Sequence, residues 1–260
     1  MPCMLNQLKS AIPHATNPDR CGASNFTPSQ VDTKSSRSIS VPTHQHVFSM
    51  ETGKTALLVV DMQNDFCHPD GFCCSELGVD ITAVREIIPR IQKVIDYARR
   101  EGILVVYTME SHPPSLSDLT PSKRLRYENG RCPIGALGKM GGYLLQGQKG
   151  AKIISELQPL ESEIQLDKPQ HSAFASTNLD AILKELGVTH LLITGVTTEC
   201  CVLGTYRQAN DLGFHCLLLE DCCAAFEESH HQAAITIILA EDGVIGWVTS
   251  SEKLFEALVD

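Results

Sequence analysis

Positive charge is in short supply. The 260-residue chain carries 21 Lys and Arg against 31 Asp and Glu, a formal net charge of −10. A protein that grips phosphate backbones needs a basic surface, so this balance argues against nucleic acid as a partner. Long apolar runs are missing too. Stretches such as Thr55 to Val60 and Ile103 to Tyr107 fall far short of the roughly 20 residues a membrane helix requires. No cysteine pair recurs at zinc-finger spacing, and no GxGxxG or P-loop glycine pattern occurs. The usual marks of a structural zinc site and of a nucleotide fold are therefore absent. What remains, 43% hydrophobic and 20% charged residues, is the composition of a globular core.

Cysteine is plentiful by contrast. The count is eleven, an odd number, with three adjacent pairs at Cys73–Cys74, Cys200–Cys201 and Cys222–Cys223. A chain this long does not need a disulfide frame. Reduced thiols in the cytoplasm, mostly acting as small buried hydrophobes, are the simplest account.

Residues 1–50 hold five of the thirteen prolines and many Ser and Thr, with no sustained hydrophobic period. They are expected to form a poorly structured tail or arm ahead of a single domain at 51–260. A weak organelle-targeting segment is the alternative, although no arginine-rich amphipathic helix is evident. From Lys54 onward strand and helix signals alternate. Thr55–Val60 and Ile103–Tyr107 read as strands buried on both faces. Val84, Ile87, Ile88, Ile91, Val94, Ile95 and Ala98 recur at helical spacing, with Pro89 predicting a kink or break. Residues 111–160 are irregular, an insertion suited to a pocket wall. Regular elements then resume, giving six strands in all. The expected architecture is an α/β three-layer α/β/α sandwich on a mostly parallel six-stranded sheet.

Chemistry in such sheets collects beyond the carboxyl ends of the strands. Cys201 opens a helix after the turn Gly195-Val-Thr-Thr-Glu-Cys-Cys201, where the helix's positive end favours a thiolate and its free N–H groups can hold an oxyanion. A buried structural thiol fits these local features equally well, and Cys200 is a rival. Asp61 ends an apolar strand, as a proton-transfer group or as a turn cap. Lys168 follows the fifth-strand candidate; beside Asp61 it would hold the carboxylate charged. Seven histidines, including His190, His215, His230 and His231, show no relation to these junctions and read as surface or packing residues.

Three segments in order, Leu57-Leu-Val-Val-Asp61-Met-Gln-Asn-Asp-Phe66, Lys168-Pro-Gln-His-Ser-Ala-Phe174 and Thr194-Gly-Val-Thr-Thr-Glu-Cys-Cys201-Val, resemble the isochorismatase-like cysteine hydrolases over about residues 54–250. The resemblance implies a catalytic set of Asp61, Lys168 and Cys201, a cis peptide at Val196–Thr197, and an oxyanion hole from the N–H groups of Thr197 and Cys201. It also implies a homo-oligomer, a dimer or a tetramer; Trp247 and Phe255 are weak independent support.

The insertion around Ser111–Arg124 and the stretch Cys216–Cys223 are similar to biuret amidohydrolases, with ureidoacrylate amidohydrolases next. The implied reaction is hydrolysis of the terminal C–N bond of a small ureide through a thioester. Biuret to allophanate and ammonia is the first expectation, ureidoacrylate or an N-carbamoyl compound the alternative. Glu110-Ser-His112 only partly matches the metal-binding pattern of nicotinamidases, so neither metal nor cofactor is expected and nicotinamidase is a further alternative. A non-catalytic scaffold is the reading from another class. The pocket is expected to be small and polar, with Phe66, Glu110, His112 and Lys123 around the ligand. Glu241 stands where biuret enzymes place a pocket glutamine.

Overall fold

The β-branched and aliphatic runs form strands because they can be covered on both sides, and the computed structural model shows how. It describes residues 36–257. In chain order the strands are β1 (Ser38–Pro42), β2 (Val47–Glu51), β3 (Thr55–Val60), β4 (Leu104–Glu110), β5 (Leu137–Gly138), β6 (Gly141–Gly142), β7 (Ile164–Lys168), β8 (His190–Val196), β9 (His215–Ala224) and β10 (Trp247–Thr249). The helices are α1 (Asn64–Cys67), α2 (Phe72–Ser75), α3 (Thr82–Glu86), α4 (Ile88–Glu101), α5 (Pro121–Asn129), α6 (Leu179–Glu185), α7 (Leu203–Asp211), α8 (Glu228–Ile238), α9 (Ala240–Gly243) and α10 (Ser251–Glu256).

Six strands pair in the order β10-β9-β8-β3-β4-β7, and every pairing in that sheet is parallel. Helices cover both faces, which makes the three-layer α/β/α sandwich. β3 lies at the centre and all six of its residues are buried. Its alternation divides the core: Leu57 and Val59 face the cluster containing Ile91, Val94 and Ile95 of α4. Ala56, Leu58 and Val60 face the cluster containing Leu183 of α6, Tyr206 of α7 and Ile235 of α8. The helical run broken by a proline resolves into two pieces. α3 ends at Glu86 and α4 starts at Ile88 with Pro89 in its first turn, where a missing N–H costs nothing. Gly102 then closes α4 in the left-handed region at φ 71°.

The tail expected over residues 1–50 is shorter than the sequence suggested. β1 and β2 form an antiparallel hairpin that buries Ile39, Val41, Phe48 and Met50 in the α4-side core. Two-residue alternation of apolar and polar side chains carried this signal, masked by the prolines and serines around it. The hairpin is tied to the last strand by His44 N donating to Val248 O at 3.1 Å and Thr249 Oγ1 donating to Pro42 O at 2.6 Å. The rest of the expected tail, residues 1–35, lies outside the described residues. Among the described residues all nine cysteines are free, and no helix is long and apolar enough to cross a membrane.

Phe48 is 2% exposed and meets the indole of Trp247 edge-on at 5.3 Å. Phe48→Ala should cost about 3–5 kcal/mol, the usual range for emptying a buried aromatic site. Denaturant unfolding followed through the chain's single tryptophan would measure it. Unchanged stability would mean that the hairpin is dispensable.

Candidate active site

Four strand ends converge on one spot. Asp61 follows β3, Glu110 closes β4, Lys168 closes β7, and β8 runs into the turn that carries Cys201. The chain leaves β3 outward through β4 and β7 and returns to the other side through β8, β9 and β10. The gap where the order reverses is the natural crevice of such a sheet. Register fixes the neighbours: Val60 lies beside both Thr108 and Gly195, and Glu110 beside Lys168. Gly195 has φ 110°, and a Cβ there would collide with the Val60 carbonyl. The close approach of β8 to β3 therefore depends on glycine.

Asp61 has left-handed backbone, φ 51°, which Asp tolerates better than most residues. Its N–H donates to Thr108 O at 3.1 Å, and its Oδ1 accepts from Thr108 Oγ1 at 2.7 Å. Its Oδ2 is 2.7 Å from Lys168 Nζ. Lys168 also donates to Gln170 O at 2.9 Å and lies 3.8 Å from Glu110 Oε2. Both Asp61 and Lys168 are fully buried. Burial alone would push the lysine pKa down, but Asp61 and its other negative neighbours outweigh it and raise it above 10.5.

A second buried pair stands behind the first. Glu110 Oε1 is 2.7 Å from Lys123 Nζ and accepts from Tyr127 OH at 2.6 Å. Burial opposes the Glu110 charge, yet Lys168 and Lys123 hold the carboxyl well below its ordinary 4.5. Gln63 pins this strand end by accepting from Glu110 N at 2.8 Å and donating to Glu110 O at 3.0 Å. Lys123 continues to Pro169 O at 2.6 Å and His112 Nε2 at 3.1 Å. His112 Nδ1 reaches Asp118 at 2.7 Å, and burial followed by Lys123 pushes its pKa down.

The nucleophile turn opens with a cis Val196–Thr197 peptide and continues as a π turn over Thr198–Val202 before α7. Thr197 O accepts from Cys200 N at 3.1 Å and from Val202 N at 3.2 Å, passing over the N–H of Cys201. Cys201 Sγ donates to Glu110 Oε2 at 3.5 Å, and the sulfur and one oxygen from each of Asp61 and Glu110 lie within 4.8 Å of one another. The contact with Cys200, burial and the two carboxylates push the Cys201 pKa well above 9.0, against the pull of Lys168. His231 Nδ1 lies 2.9 Å from Thr198 Oγ1, so a histidine read from sequence as unrelated to the strand junctions braces this turn.

Above the sulfur lies a cavity of about 270 Å³. Thr197, Cys200, Cys201 and Glu110 form its base; Phe66, Tyr143, Phe226 and Val79 are among its walls. The expectation of a polar pocket is thus corrected: the outer wall is apolar, because Leu119, Ile134, Tyr143 and Leu144 of the insertion join Phe72 of α2 in a small core over the strand ends. Phe66 does line the cavity, edge-on to Tyr143 at 6.3 Å. His112 and Lys123, expected beside the ligand, are fully buried behind Glu110. Glu241 is not at the site. It is exposed on α9, ahead of β10 at the amino ends of the strands, with φ 55°. Thr108, Gln63, Tyr127 and His171 went unnoticed in the sequence. Tyr127 OH is 3.3 Å from His171 Nε2, and only α5 and the crossing of the insertion bring them here. Trp247 and Phe255 pack within the chain, against Phe48 and Tyr97.

Asp61, Glu110 and Cys201 are close enough to share a cation. Their chemistry does not fit one. Each carboxylate already carries an ammonium at 2.7 Å, and His112 Nε2 faces Lys123. A divalent ion would have to displace both lysines.

The model of the isochorismatase domain matches residues 55–253. The chain belongs to the isochorismatase family. It is an isochorismatase-like hydrolase, similar to the ureidoacrylate amidohydrolase RutB of Klebsiella pneumoniae, with 29% identity over 85% of this chain and 93% of that one. Among solved structures, N-carbamoylsarcosine amidase from Thermoplasma acidophilum is 27% identical with a TM-score of 0.58, covering 76% of this chain and 97% of that one. A cysteine hydrolase from Pseudomonas syringae, at 24% identity, shares the fold with a TM-score of 0.69 over 83% of this chain and 96% of its own.

Lys123→Ala should strip Glu110 of its buried partner and cost about 3–5 kcal/mol at pH 7. Wild-type Glu110 titrates below its ordinary value, so its charge contributes stability above pH 4.5 and that contribution fades as pH falls. In the variant the buried carboxyl keeps only the more distant Lys168, at 3.8 Å, and takes up a proton at higher pH than in the wild type. The stability gap should therefore narrow as pH falls, as urea midpoints between pH 7 and pH 4 would show. A gap that widens toward low pH would contradict this charge assignment.

Proposed function

We propose that this family member is an amidohydrolase that cleaves the terminal C–N bond of a small ureide through a Cys201 thioester. The observation that carries the reading is the meeting of Asp61, Lys168 and Cys201 at the carboxyl ends of β3, β7 and β8, at the base of one cavity. The names of the ureidoacrylate amidohydrolase and the N-carbamoylsarcosine amidase it resembles support the substrate class.

Asp61 takes the thiol proton as the sulfur attacks the carbamoyl carbon. Lys168 keeps Asp61 oriented. The N–H groups of Thr197 and Cys201 receive the developing oxyanion, a role suited to a donor that the π turn leaves without its α-helical acceptor. Asp61 then returns the proton to the departing nitrogen, which leaves as ammonia. Water, deprotonated by Asp61, attacks the thioester and restores the thiol. Glu110 holds the S–H at rest and offers its free oxygen to the amide N–H₂ once the proton has moved. For biuret, the first expectation from sequence, the products are allophanate and ammonia; ureidoacrylate differs at the far end of the molecule. A dimer or tetramer, working in the cytoplasm, completes the proposal, and light scattering that gave a monomer would remove its first half.

Ammonia release from a panel of small ureides tests the mechanism. Cys201→Ala and Cys201→Ser should each lose at least a thousandfold in kcat while circular dichroism stays unchanged. Turnover retained in both would overturn the covalent route.

A further inference from the structure

The cavity has two unlike ends. At its base are the sulfur, Glu110 and Thr197; the rest is lined by Phe66, Val79, Tyr143, Phe226 and other side chains without charge. No Lys or Arg lines it among the described residues. The two lysines nearest the reacting centre are spent. Lys168 is fully buried against Asp61, and Lys123 is fully buried against Glu110 and the Pro169 carbonyl. The phenol of Tyr127 is donated to Glu110, and that of Tyr143 faces Cys73 Sγ at 3.9 Å.

A ligand that places its reacting carbamoyl group at the sulfur must put its other end against this apolar wall. A carboxylate there would lose its water and gain no cation, while the nearest charge lining the cavity is another carboxylate, Glu110. A second carbamoyl group, as in biuret, would leave its donors and acceptor short of partners. An alkyl or aryl group loses nothing on the same transfer and gains from leaving water.

We propose that the distal half of this pocket selects an uncharged apolar substituent, so that the preferred substrate is a primary ureide or acylurea with an alkyl or aryl far end. The proposal rests on the amidohydrolase reading and narrows its substrate class.

Acylureas of the form R–CO–NH–CO–NH₂ test it, because the reacting carbamoyl group is the same throughout. With R as amino the compound is biuret; propyl, phenyl and carboxyethyl supply the apolar and anionic cases. For the full-length enzyme, kcat/KM for ammonia release should be at least tenfold higher with propyl or phenyl than with biuret, and lowest with carboxyethyl. Tenfold corresponds to about 1.4 kcal/mol of transition-state preference. Phe226→Arg, or Val79→Arg should the first variant fold poorly, should raise the carboxyethyl rate at least tenfold and lower the phenyl rate. Biuret or the carboxyethyl compound matching the apolar pair would overturn the proposal while leaving the hydrolase reading intact, provided Cys201→Ala abolishes the activity. Ammonia release that persists in Cys201→Ala, or none from any compound, would defeat the proposed Cys201 ureide amidohydrolase and this inference with it.

Discussion

The buried pair of Asp61 and Lys168 is the contact on which the rest of the site depends. An ionised side chain without water is costly, and two of them in contact are tolerable only when each is further hydrogen-bonded. Thr108 and the Gln170 carbonyl supply those bonds, and they come from β4 and from the segment after β7. The pair thus couples three neighbouring strand ends, whose spacing is set by backbone register. A second pair, Glu110 with Lys123, repeats the arrangement one layer out and recruits the insertion through α5. Four buried charges sum to zero at the base of the cavity. A neutral thiol can rest beside two carboxylates because each carboxylate is already matched.

Much of this was legible in the sequence, and for physical reasons. Runs such as Thr55–Val60 have the pattern of strands buried on both faces, and a parallel sheet follows from their alternation with helices. Its chemistry then collects at the carboxyl ends of the strands, where the resemblance to the isochorismatase-like hydrolases singled out Asp61, Lys168 and Cys201. The hairpin of residues 38–51 was hidden because five-residue strands among serines and prolines carry little periodicity. The pocket wall was misjudged for a different reason. The insertion reads as polar and irregular, and its apolar residues are too scattered to announce a core; only the folded chain brings Phe72, Tyr143 and Leu144 together. His112 was placed beside the ligand because it follows a strand end and Lys123 because it lies in the insertion expected to roof the pocket, yet each is consumed in balancing a neighbour. Glu241 was placed by likeness alone, and no local feature of the chain bound it to the site.

The π turn over Thr198–Val202 bears on what the chain can tolerate by insertion or loss. Such a turn holds one residue more than an α-helical turn would between the same hydrogen-bonded ends. That extra residue sets where each following side chain points, at about 100° per position around the helix axis. Two cysteines stand side by side here, and only their count from Gly195 distinguishes the one whose sulfur meets Glu110 from the one that turns toward His171. Loss of a single residue from the turn would leave a cysteine in almost the same place along the chain, aimed a quarter of a revolution or more away from the acids. The nucleophile is therefore defined by phase as much as by identity, and a shortened relative could keep every catalytic letter and lack the alignment.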